Sequence, residues 1–131
     1  MMLLGRLLIG VLFVVSGARK ILSWPGAIGY MQGAGFPTME IAGYPLVQIL
    51  LVATIALEIL GGLMVAFGIG EKPAAVILAL FTLAAAAMFH NFWTITDAAQ
   101  YSNQLNHFLK NVAIAGGLLV VAARSHADDH A

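Results

Sequence analysis

Four apolar runs, each about as long as a bilayer is thick, leave this chain few folds to choose from. They cover Met2–Leu22, Tyr44–Gly68, Ala74–Phe92 and Leu105–Ala123. A helix needs roughly 20 mainly apolar residues to cross hydrocarbon, and all four runs meet that length. Only 9% of the 131 residues are charged, against 61% hydrophobic. Soluble domains carry about 25% charged residues, so there is too little charge here to wet a globular surface. The expected fold is all-α: an integral membrane four-helix bundle filling residues 1–131 as a single domain.

The same composition removes several function classes. Six basic residues balance six acidic ones, which leaves no polyanion-binding surface, and nucleic acid is not an expected partner. With no cysteine there is no thiol chemistry, disulfide or thiolate metal site, and any redox role must borrow a cofactor. Ser16-Gly17-Ala18 resembles a leader-cleavage site after a short apolar core. A discarded leader would have no use for the polar stripe that the first run carries, however, so that run reads as a retained span.

Connection lengths set the topology. Ile69-Gly70-Glu71-Lys72-Pro73 is a tight polar turn that makes the second and third spans antiparallel neighbours. The stretch 23–43 holds the turn signals Trp24-Pro25-Gly26 and Gly33-Ala34-Gly35-Phe36-Pro37 around a short segment expected to lie helically at the interface. Four crossings put both long connections on one face and both termini on the other. Lys and Arg divide almost evenly between the faces; if Lys20 and Lys110 are buried in a site, the remainder favours cytoplasmic termini.

Helix residues three, four and seven apart share a face. Arg6, Gly10, Phe13, Gly17 and Lys20 form one stripe in the first span; Leu51, Thr54, Glu58, Gly61, Gly62 and Val65 form another in the second. The third span offers Ala79, Leu83, Ala86 and His90, the fourth Asn103, Asn106, Lys110 and Gly117. Lipid gives helices little hydrophobic reason to associate, so small residues and interhelical hydrogen bonds must do so. These faces are therefore expected inward, with backbones nearly touching at Gly61-Gly62 and Gly116-Gly117.

Glu58 is the residue least at home. A carboxylate deep in a span costs about 2.5–3.5 kcal/mol, so it must be protonated, beside water or paired. Arg6 is the first candidate partner and Lys20 the second. A structural ion pair and a proton- or substrate-handling role are both open readings of Glu58 and Arg6. At the long-loop face Lys20, His90, Lys110 and Asn111 are candidates for a shared polar pocket, one that suits a quinone headgroup or a small anion. Arg19 and His107 read as interfacial anchors, and Trp24, Trp93 and Tyr101 as an aromatic belt. Nothing in the spacing of His90 and His107 fixes a haem, and no metal site is expected. The tail bearing His126, Asp128, Asp129 and His130 reads as a frayed polar end.

These residues, in this order, resemble the DoxX family of small bacterial membrane proteins. The resemblance rests on the stripe from Arg6 to Lys20, on Gly35-Phe36-Pro37, on Glu58 with Gly61 and Gly62, on His90, and on HFLKNVAIAGGLL around Lys110 and Asn111. It implies a four-helix bundle in the bacterial inner membrane and association with redox enzymes. Name-giving members are related to subunits of a terminal quinol oxidase and of a thiosulfate:quinone oxidoreductase; others are linked to oxidative-stress defence. Lacking cysteine and an appended soluble domain, this chain is not expected to oxidise a sulfur substrate by itself.

Three functions follow as expectations. The first is a membrane subunit or anchor of a redox assembly that binds a quinone or a redox partner. There Lys20, His90 and Lys110 hold the bound group, and Glu58 and Arg6 hold or relay charge. The second is a small transporter, in which Glu58 couples protons to an anion received by the basic pocket. The third is a scaffold or assembly factor without a ligand. The partners in view are the bilayer, redox-enzyme subunits and further copies of the chain.

Overall fold

The computed structural model describes residues 1–129, with side chains through residue 124. The tail candidates His126, Asp128, Asp129 and His130 therefore lie outside the described side chains. In chain order the elements are α1 (Met2–Leu22), α2 (Trp24–Gly33), β1 (Glu40–Ile41), β2 (Tyr44–Pro45), α3 (Leu46–Phe67), α4 (Glu71–Phe89), a 3-10 turn (Phe92–Thr94) and α5 (Ala98–Asp129). Four of the helices (α1, α3, α4 and α5) are long and apolar enough to cross a membrane. They imply a bilayer environment, and the fold is all-α apart from one small hairpin.

Local sequence accounts for the breaks. α2 starts at Trp24-Pro25, where the proline's missing N–H costs nothing in a first turn. The hairpin turns on Ala42 and Gly43, both at positive φ, as a tight two-residue turn requires. α3 ends where Gly68 adopts the left-handed conformation (φ +69°) and its N–H reaches back to the Met64 carbonyl. Gly70 (φ +59°) then opens α4.

α1 packs chiefly on α3, α4 on α5, and α3 on α4, while α1 touches α5 only lightly. The α1–α3 contact is made by glycines. A Cβ added at Gly10 would lie 2.6 Å from the Gly62 carbonyl oxygen and 2.7 Å from the Ala66 Cβ. One added at Gly17 would meet Ile59 Cγ1 at 2.6 Å. Residues 10 with 62 and 66, and 17 with 55 and 59, make the two helices antiparallel. Gly61 packs on the Leu78 side chain of α4. Around this joint, Phe13, Val65, Leu78, Ala115 and Leu118 form the main core.

The second glycine pair behaves differently. Nothing lies within 4 Å of a Cβ at Gly116, and one at Gly117 would meet only Ile9 Cδ1 at 3.6 Å. The close backbone approach expected at Gly116-Gly117 is thus absent.

Candidate functional site

The α1–α3 register decides what Glu58 touches. With Gly10 fixed against Gly62 and Ala66, Arg6 reaches the level of Gly68, and its guanidinium lies beside that residue. Glu58 is ten residues earlier, about 15 Å along the helix at 1.5 Å per residue. Arg6 is therefore not its partner. It occupies the end of α3 instead, where unpaired carbonyls and the helix dipole favour a cation. The Arg6 Nε atom is buried there and has no hydrogen-bond partner among the described residues.

Lys20 is the partner. Its Nζ donates to Glu58 Oε1 at 2.9 Å and to Oε2 at 3.1 Å, and to Ser16 Oγ, one turn back on α1, at 2.8 Å. Glu58 is only 3% exposed, while the Lys20 side chain is 31% exposed. The acid is sealed among helices and the amine stands at the edge. A bare carboxylate at this depth would carry its full desolvation cost; two charge-assisted bonds answer it.

This pair forms part of the wall of a cavity of about 960 Å³ on the long-loop side of the bundle. Every helix contributes to the lining: Ser16 and Lys20 from α1, Tyr30 and Met31 from α2, Thr54 and Glu58 from α3, Thr82 and Met88 from α4, Asn111 and Ile114 from α5. Leu12, Val15 and Met88 line it and are also exposed on the outer surface, so it reaches the flanks of the bundle that lipid covers. Around its α2 end Tyr30 and Phe36 both stack on Phe89, with ring centroids 5.1 and 5.8 Å apart.

Of the four residues expected to share a pocket, Lys20, His90 and Asn111 line this cavity and Lys110 does not. Lys110 is exposed, as are Asn103 and Asn106 of the same expected stripe. The inward face of α5 is instead the one carrying Asn111, Ala115, Leu118 and Ala122. A lysine can keep its stem on apolar surface and send its amine to the headgroups, so Lys110 has no need to turn inward. Leu83 of α4 likewise faces out.

His90 follows α4 directly, and its Nδ1 lies 2.8 Å from Gln104 Oε1. An amide oxygen only accepts, so in this contact Nδ1 is the donor. The His90 ring stacks on His107 with centroids 5.0 Å apart. The aromatic residues of the long-loop face cluster around Phe92, which meets Trp93, Tyr101 and Phe108 edge-on.

Ser16 and Thr82 were not among the expected site residues. Ser16 stands one turn before Lys20, a spacing that could have flagged it. Thr82 stands one turn after Leu78 and one turn before Ala86 on the buried face of α4, so helical phase alone could have found it. Its hydroxyl is buried, 5% exposed as a residue, and has no hydrogen-bond partner among the described residues. A polar group stranded in this way costs about 1–3 kcal/mol.

Inner membrane protein YphA of Escherichia coli K12 is 28% identical over 122 residues, covering 93% of this chain and 81% of that protein. Inner membrane protein YqjF of the same organism is 36% identical over 120 residues, covering 92% and 80%. No solved structure matches. The DoxX family model matches residues 1–91, which hold α1, α3, α4, the Lys20–Glu58 pair and His90, and the chain belongs to the DoxX family.

Proposed function

We propose that this protein lies in the inner membrane, with both termini cytoplasmic, and binds a quinone-class molecule in its central cavity as a membrane subunit of a redox assembly. The carrying observation is the cavity itself: about 960 Å³, at the upper end of the range of small-molecule sites, roughly 300–1,000 Å³. Its walls are largely apolar, with Ser16, Glu58 and Thr82 deep in it and Arg19, Ser23 and His90 nearer the long loops. That division suits a molecule with a polar ring and a hydrocarbon tail. The lipid-facing openings beside Leu12, Val15 and Met88 suit one that arrives from the bilayer.

Below the ion pair, Phe13, Val65, Leu78 and Leu118 close the bundle. A blind pocket favours binding over a path for ions. The inner-membrane names of YphA and YqjF support the location.

The test is thermal unfolding of the detergent-purified protein titrated with a decyl-chain benzoquinone. Binding to the folded state adds RT ln(1 + [L]/Kd), about 2.7 kcal/mol at a hundredfold excess over Kd. The expected result is a midpoint that climbs with ligand. Ala85→Phe, which puts a ring into the cavity from α4, should abolish the climb. A wild-type midpoint indifferent to the quinone rules the reading out.

A further inference from the structure

The two flank openings of the cavity are built differently. On α1, Ile9, Leu12, Ser16 and Arg19 stand three or four residues apart and share one face. At Ile9 that face meets α5, with Cδ1 3.6 Å from where a Cβ on Gly117 would stand. From Leu12 onwards it lines the cavity, as do Ile114 and Asn111, one and two turns from Gly117 towards the long loops on α5. Leu12 and the neighbouring Val15 also face outwards, 44% and 50% exposed. Because α1 touches α5 only lightly, the seam between them is a slot, joined at its terminal end and splayed beyond it.

The other opening lies between Ala53 of α3 and Ala84 and Met88 of α4, which line the cavity and are exposed. It is framed at both ends. Gly61 packs on Leu78 on its terminal side. On its long-loop side Phe89 packs into the cluster of Met31, Val47 and Leu51 and carries the rings of Tyr30 and Phe36. Such a window widens only if Phe89 unstacks, whereas the slot widens when two lightly touching helices part.

Depth favours the slot as well. Leu12 is halfway along α1, ten residues or about 15 Å from either end, which is the middle of a hydrocarbon core about 30 Å thick. Arg19 lies about 10 Å nearer the surface. The face thus runs from apolar at mid-bilayer to charged near the headgroups, the order of tail and head in a membrane amphiphile.

We infer that the hydrocarbon tail of the bound molecule leaves the cavity through the slot between α1 and α5, past Leu12 and Val15, and not through the α3–α4 window. The slot is continuous with the cavity, so one molecule fills both. This rests on the quinone reading and adds where the tail runs.

The experiment uses the full chain in proteoliposomes with a decyl-chain benzoquinone bearing a diazirine at the chain end. After photolysis, mass spectrometry maps the label with and without excess unlabelled quinone. The displaceable label should fall around Leu12, Val15 and Ile114, and Ala53, Ala84 and Met88 should be free of it. Val15→Trp, which fills the slot mouth from an exposed position, should weaken binding of the decyl-chain benzoquinone about tenfold in the thermal titration, and Ala84→Trp should leave it unchanged. If Val15→Trp fails to fold, Leu12→Phe fills the same mouth. Displaceable label at the α3–α4 window or wholly inside the cavity overturns the inference and leaves the quinone reading standing. So does label at the slot that excess quinone cannot displace, since bilayer contact alone accounts for it. A wild-type midpoint that ignores the quinone overturns both.

Discussion

Removing either member of the Lys20–Glu58 pair should not cost the same, because the two ends of the pair sit in different surroundings. Glu58 is 3% exposed, whereas the Lys20 side chain is 31% exposed and lies in the last turn of α1. Lys20→Met leaves a carboxyl group sealed between helices without a cation. Breaking a buried pair costs about 3–5 kcal/mol, and the partial exposure of Lys20 points to the low end, about 3 kcal/mol. Glu58→Gln leaves an amine that can swing towards the headgroups and a neutral side chain of unchanged shape that still offers an acceptor. Its cost should be about 1 kcal/mol. The double variant strands nothing charged and should cost about 2 kcal/mol, so the cycle closes with a coupling of about 2 kcal/mol. Equilibrium unfolding in mixed micelles, titrated with a denaturing detergent, measures all four corners. Equal single costs, or a double variant equal to their sum, would refute the claim that burial of the acid governs this site.

Two further outcomes follow from the glycines. Gly10→Ala should destabilise by about 1–3 kcal/mol, since its methyl meets backbone and Cβ atoms of α3 that cannot swing aside, whereas Gly116→Ala should be close to neutral; the same unfolding titration compares them. Gly68→Ala places a Cβ at φ +69° and against the Arg6 guanidinium. It should cost about 1–2 kcal/mol, and Arg6→Met should recover part of that loss if the contact matters as well as the backbone.

Hydropathy alone made the four crossings legible, because apolar length is a demand that the bilayer imposes locally. The inward stripes of α1 and α3 were legible for a related reason. Gly10, Phe13 and Gly17 are the buried residues of α1, and Gly62 and Val65 are buried on α3, because close packing at small residues is what draws lipid-crossing helices together. The choice between Arg6 and Lys20 was not legible, since it depends on an interhelical register that no single helix carries. The phase of α5 was misjudged through Asn103, Asn106 and Lys110. Polar residues near the membrane surface obey the headgroups as readily as the core, and sequence position does not say which. Thr82 escaped notice because one hydroxyl hardly alters an apolar pattern.

The glycine joint between α1 and α3 lies at the terminal side of the bundle and the open volume at the other. Tolerance to substitution should therefore be graded along the membrane normal. Near the joint a single added methyl must push two rods apart. Beyond the ion pair, whole side chains can be exchanged without disturbing that seam. A designer, or selection, could thus refit the chamber for a different occupant while leaving the clamp that assembles the helices alone.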